Sequence, residues 1–100
     1  MLVGHQHSYE RSCPAFDGQC VQPGEHGTVH LVVGSAGATL EVGGFSPKFG
    51  NFSVKHVRAW GYVRLDANAS RLKVEFVRTD AHDNVGPGQV WDAVELLPWP

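Results

Sequence analysis

Gly4-His5-Gln6-His7-Ser8-Tyr9-Glu10-Arg11 is the stretch on which the reading of this chain turns. It sets two imidazoles one residue apart, directly after a glycine that closes the short apolar run Met1-Leu2-Val3. Any strand leading into the turn therefore has almost no length. In an extended segment, residues i and i+2 face the same side about 6.5–7 Å apart. One ion would need both side chains to converge sharply. Two ions about 3.5–4 Å apart can instead take one imidazole each, as two-metal hydrolytic sites do. Either arrangement needs several further ligands, and a bare His-x-His is more often an exposed pair. The motif alone leaves both readings open.

Around this stretch the chain reads as one small β-rich unit. Its 100 residues are 42% hydrophobic and 18% charged, a balance that suits a packed domain rather than a disordered one. The formal net charge of −2 gives no basic footprint, so nucleic acid is not an expected partner. No apolar run approaches bilayer length, so no membrane span is expected. No signal peptide stands in this segment. Twelve glycines and six prolines punctuate short Val-rich segments, which favours strands and loops over helices.

The alternation Leu72, Val74, Phe76 against Lys73, Glu75 predicts a half-buried strand over 72–78. Trp60-Gly61-Tyr62-Val63-Arg64-Leu65 alternates too, and the β-branched run 28–33 reads as a buried strand. Val90, Asp92, Val94 and Leu96 against Trp91, Ala93, Glu95 and Leu97 predict a last strand. The last three strands form an antiparallel meander, and all four belong to one sheet system. Residues 8–27 read as loop. Residues 43–56 have no clean period and read as loop with room for a short helix.

The remaining histidines add no ligand set. His26 and His30 would chelate on a helix, but Gly27 and the Val-rich continuation argue for a strand, about 13 Å apart on one face. His56 and His82 have no partner spacing. Gly34-Ser35-Ala36-Gly37 lacks the residues of a phosphate loop or a dinucleotide fingerprint, and is a tight turn. Cys13 and Cys20 flank a spacer with Pro14, Asp17 and Gly18. A bridge is sterically reasonable and would contribute about 2.5 kcal/mol on the chain-entropy model; the other reading is two free thiols in a reducing compartment. The sequons Asn51-Phe52-Ser53 and Asn68-Ala69-Ser70 tilt the balance toward a secretory origin.

Gly4 to Arg11 closely resembles the Gly-His-x-His-x-Tyr-Glu-Arg signature of purple acid phosphatases, within the binuclear metallophosphoesterases. The likeness runs on through Cys13-Pro14, residues 27–37, Trp60 to Leu65, Phe76-Val77-Arg78 and Val90-Trp91-Asp92. The resemblance implies an α/β fold in the parent, a four-layer sandwich of two mixed sheets flanked by helices. This segment, residues 1–100, would be its C-terminal part and mainly β strands and loops. It implies hydrolysis of phosphate monoesters at a centre of Fe(III) plus a divalent ion (Zn, Mn or Fe). His5 would bind the divalent metal and His7 the ferric iron, with Tyr9, Glu10 and Arg11 supporting them. The family's other ligands lie in upstream motifs absent here, so no catalytic residue is assigned and the isolated chain is expected to be inactive. Expected partners are the upstream remainder of the domain and a phosphate ester. The expected location is secreted or secretory, extracellular or vacuolar. The alternative is a small non-catalytic β-rich module that keeps the ligand loop for binding or structure.

Overall fold

Leu72–Arg78 shows how the sequence builds this molecule, whose computed structural model describes residues 1–22, 25–40, 52–80 and 87–97. In that strand Val74 and Phe76 are fully buried. On the opposite face Lys73 and Glu75 sit in an ion-pair lattice, with Arg64 Nε 3.2 Å and Lys73 Nζ 3.9 Å from Glu75. Apolar one way and charged the other is what a sheet with one wet face requires.

Nine strands make up the regular structure of the described residues, which contain no α-helix. They are β1 (Leu2–Val3), β2 (Tyr9–Ser12), β3 (Ala15–Phe16), β4 (Gln19–Cys20), β5 (Leu31–Val33), β6 (Ser53–Val57), β7 (Gly61–Ala67), β8 (Leu72–Arg78) and β9 (Val90–Leu96). One sheet has the order β1-β5-β2-β6, a second is the β7-β8-β9 meander, and β3-β4 form a small hairpin. β1 runs parallel to β5, while β2 is antiparallel to both of its neighbours. Tyr9 from the first sheet stacks on Phe76 from the second, ring centroids 4.1 Å apart. Leu31, Val57, Ala59 and Val74 close the core around that pair.

Three expectations need correction. The strands do not share one sheet: Leu31–Val33 belongs to the first and the meander is separate, joined through side-chain packing. Residues 8–27 are not all loop, because Tyr9–Ser12 is an interior strand of the first sheet and β3 and β4 form a hairpin. Within 43–56, residues 43–51 lie outside the described part, but Ser53–Val57 is a strand on the β2 edge. Tyr9–Ser12 and Ser53–Val57 are too polar to show a two-residue apolar alternation. Their pairing is set by tertiary partners instead.

The last strand departs from simple alternation in one informative way. Phe76 pairs with Asp92 but Val77 pairs with Val90, so Trp91 is an extra residue in β9. Such a bulge re-aims side chains. Trp91 and Asp92, neighbours that a regular strand would send to opposite faces, both reach Tyr9: Trp91 edge-on at 6.4 Å and Asp92 by a hydrogen bond.

Candidate metal centre

The histidine pair lies in the connection from β1 to β2, and its backbone is not extended. Gln6 N donates to Gly4 O and Ser8 N to Gln6 O, both at 2.9 Å. These are consecutive three-residue turns, centred on His5 and His7. His5 has φ of 75°, the strained form of that turn. Strain of this kind costs on the order of 1–3 kcal/mol and persists only where neighbours impose it.

The neighbours are identifiable. Gly34 N donates to Ser8 O at 3.0 Å. A Cβ at Gly34 would collide with the Gln6 carbonyl, so only glycine lets the end of β5 lie this close to the turn. Beyond Gly34, the Thr39 carbonyl meets His7 Nδ1. A carbonyl only accepts, so Nδ1 carries the proton, and in the neutral ring Nε2 carries the lone pair. A second hydrogen bond of this sort is how metal-binding histidines are held in tautomer and orientation. His5 is exposed and His7 half-buried.

On the far side the turn runs into β2, where Tyr9 and Arg11 share one face. Tyr9 OH donates to Asp92 Oδ2 at 2.6 Å. Arg11 donates from Nε to Oδ2 at 2.8 Å and from Nη2 to Oδ1 at 3.0 Å. One carboxylate of the second sheet thus clamps two residues that follow the histidines. Burial pushes the Asp92 carboxyl up, but the hydrogen bonds from Arg11 and Tyr9 and the charges of Arg11 and Lys55 outweigh it and hold it below the usual carboxylate range. Burial, then donation to Asp92, pushes the Tyr9 phenol above its ordinary value. The Asp92 hydrogen bond, against the opposing effect of burial, raises the Arg11 guanidinium. At neutral pH the cluster is an ion pair with a neutral phenol.

Glu10, between the two, faces away by strand alternation and takes no part in the Asp92 cluster. Cys13 and Cys20 are bridged, their Cα atoms 5.7 Å apart, across the β3–β4 hairpin. Asn68 is exposed in the β7–β8 turn, where its Oδ1 accepts from Ser70 N, Ser70 Oγ and Arg71 N; Asn51 lies outside the described residues. Among the described residues, no three of His, Cys, Asp and Glu are gathered to hold an ion. Two imidazoles are too few to hold an ion, so any metal bound here would need further ligands from elsewhere.

Asp92 is the member that reading by motif leaves without a role. The available signal is a carboxylate in phase with Val90, Val94 and Leu96 on the apolar face of a strand. A buried carboxylate demands a cationic or donor partner.

Comparison with known proteins agrees with this architecture. A family model described as iron/zinc purple acid phosphatase-like protein C matches residues 27–87. The chain therefore belongs to the purple acid phosphatase family. It is 34% identical over 103 residues to probable inactive purple acid phosphatase 24 of Arabidopsis thaliana, covering 95% of this chain and 15% of that protein. It is 34% identical over 104 residues to acid phosphatase type 7 of Danio rerio, covering 96% of this chain and 22% of that one. The solved purple acid phosphatase PPD1 from yellow lupin (Lupinus luteus) seeds superposes with a TM-score of 0.76 at 32% identity, over 96% of this chain and 17% of that chain. The chain thus spans about 15% of the length of the Arabidopsis relative and 17% of the lupin structure. Its β strands match a C-terminal β segment of that fold.

Proposed function

We propose that residues 1–100 are the C-terminal segment of a purple acid phosphatase-like catalytic domain that hydrolyses phosphate monoesters. In this reading His5 is a ligand of a divalent ion and His7 a ligand of Fe(III). The observation that carries it is the hydrogen bond from His7 Nδ1 to the Thr39 carbonyl, because it presents Nε2 as a fixed donor. When bound, the two ions would clamp the ester and stabilise its attacking and leaving oxygens.

This chain's own residues orient and hold. Gly34 admits the close approach that sets the turn, and Tyr9 and Arg11 anchor it through Asp92. A ferric ion prefers anionic oxygen ligands, and the remainder of the domain would supply them. The Cys13–Cys20 bridge supports an oxidising, secretory location, and Asn68 is then an accessible glycan acceptor.

The test pairs aryl phosphate hydrolysis at mildly acidic pH with metal analysis. The isolated chain is expected to bind iron weakly and to hydrolyse no faster than background. In the longer chain, His5→Ala or His7→Ala should remove most turnover together with one bound ion. Robust metal-dependent turnover by the isolated chain would overturn the segment reading, and full activity after losing either histidine would overturn the ligand assignment. A second reading, a non-catalytic β-rich module that keeps the loop, is favoured by the names of Arabidopsis relatives 24 and 9, each called probable inactive. Metal retention without turnover in the longer chain would select it.

A further inference from the structure

His7 and Trp60 are bound to consecutive carbonyls of one loop, residues 34–39. His7 Nδ1 meets Thr39 O, and Trp60 Nε1 donates to Ala38 O at 2.8 Å. Trp60 stands immediately before β7 of the meander, while His7 sits on the turn into β2 of the first sheet. A chain of bonds therefore runs from one sheet to the other: indole N–H, Ala38 carbonyl, Thr39 carbonyl, imidazole Nδ1.

The start of the loop is pinned separately. Gly34 N donates to Ser8 O and Gly61 N to Ser35 O, both at 3.0 Å. Gly37 then turns the backbone with φ of 140°, a conformation that suits glycine. The indole bond ties the loop down again, one residue before Thr39. Peptide groups are planar, so only φ and ψ of Thr39 separate the two bonded carbonyls. Holding Ala38 O therefore restricts where Thr39 O can point. Trp60 is 40% exposed, so burial of its ring is incomplete. What it offers here that Phe would not is the N–H.

We infer that Trp60 is a positioning residue for His7: its N–H sets the Thr39 carbonyl, and that carbonyl sets the ring plane of His7 and keeps the proton on Nδ1. A neutral imidazole free in water prefers the proton on Nε2, so the bond holds the less common tautomer. The inference rests on the reading of His7 as a metal ligand for its consequence in the longer chain. The tautomer itself is a property of this chain and needs no metal.

The test reads the ring nitrogens by 15N NMR at mildly alkaline pH, where the imidazoles are neutral. His7 should carry its proton on Nδ1. Trp60→Phe keeps an aromatic ring and removes the N–H. It should lower the ratio of the Nδ1–H to the Nε2–H form at His7 about threefold or more, the factor carried by a hydrogen bond of ordinary net strength. His30, His56 and the Tyr9–Phe76 signals should not move. Where Trp60→Phe fails to fold, replacing the indole by benzothiophene keeps its shape, lacks the N–H and should give the same result. In the longer chain, Trp60→Phe should weaken iron retention about tenfold, as loss of an outer partner of a ligand does, and added iron should restore turnover. An Nε2–H tautomer in the unmutated chain, an unchanged ratio in the variant, or equal changes at His30 and His56 overturns the positioning role. So does a loss of turnover that added iron leaves in place. If His7→Ala leaves the metal content of the longer chain intact, the ligand reading fails, and the tautomer ratio still decides whether Trp60 positions His7.

Discussion

Asp92 accepts three hydrogen bonds from two residues of the opposite sheet and is 5% exposed. Truncating it strands a nearly buried guanidinium and a buried phenol, so Asp92→Ala should cost about 3–5 kcal/mol in denaturant unfolding. Tyr9→Phe, which leaves Arg11 paired, should cost about 1–3 kcal/mol. The pH dependence follows from direction. The folded state holds the Asp92 pKa below its ordinary 3.8, so its stabilisation is fully present above that value and is lost as pH falls through the folded pKa. Thermal unfolding should therefore keep this contribution at mildly acidic pH and lose it only in strong acid. Asp92→Asn should flatten that acid limb, and an unchanged limb would show that other carboxylates carry it. The resemblance implied a supporting role for Tyr9, Glu10 and Arg11, and two of these three meet Asp92. Their partner was hidden because it is more than 80 positions away and depends on a bulge that no periodicity encodes.

The meander was readable because each of its strands carries enough apolar residues in phase to define a face. β2 was not, since Tyr9-Glu10-Arg11-Ser12 has one apolar side chain, and its pairing with both neighbours comes from the packing of Tyr9 and the anchoring of Arg11. The β3–β4 hairpin is a different case. Two strands of two residues each are far below what stands alone in water, and Phe16 is 70% exposed. The Cys13–Cys20 bridge, with an isolated bridge from Ala15 to Thr28, is what orders it. Replacing both cysteines by serine should cost about 2.5 kcal/mol if loop-closure entropy is the mechanism. It should release amide protection at Ala15 and Cys20 while Tyr9 and Phe76 stay protected. Loss of protection throughout the chain would mean the hairpin is integral to the core instead.

At the scale of the molecule the decisive feature is a sheet edge that no other described strand covers. β1 lies at the rim of the first sheet, paired parallel to β5 through Leu2 and Val3 alone. Successive strand residues point to opposite faces, yet Leu2 and Val3 are both exposed, as is Met1. Parallel strands are normally covered on both faces, and an exposed apolar edge is a site for pairing with another chain. The relatives extend several-fold beyond the matched region; under the segment reading proposed above, a neighbouring part of the domain would cover this edge. The isolated chain is therefore expected to self-associate through β1. Leu2→Lys with Val3→Lys should shift it toward monomer in sedimentation velocity, with the Tyr9–Asp92 core unaffected. The same pair in a longer chain should act oppositely, burying two ammonium groups and lowering stability by several kcal/mol. A monomeric isolated chain, or a longer chain indifferent to both lysines, would mean that the β1 edge faces water in the complete protein, and the histidine turn that follows it would then lie at a surface rather than at the join of two parts.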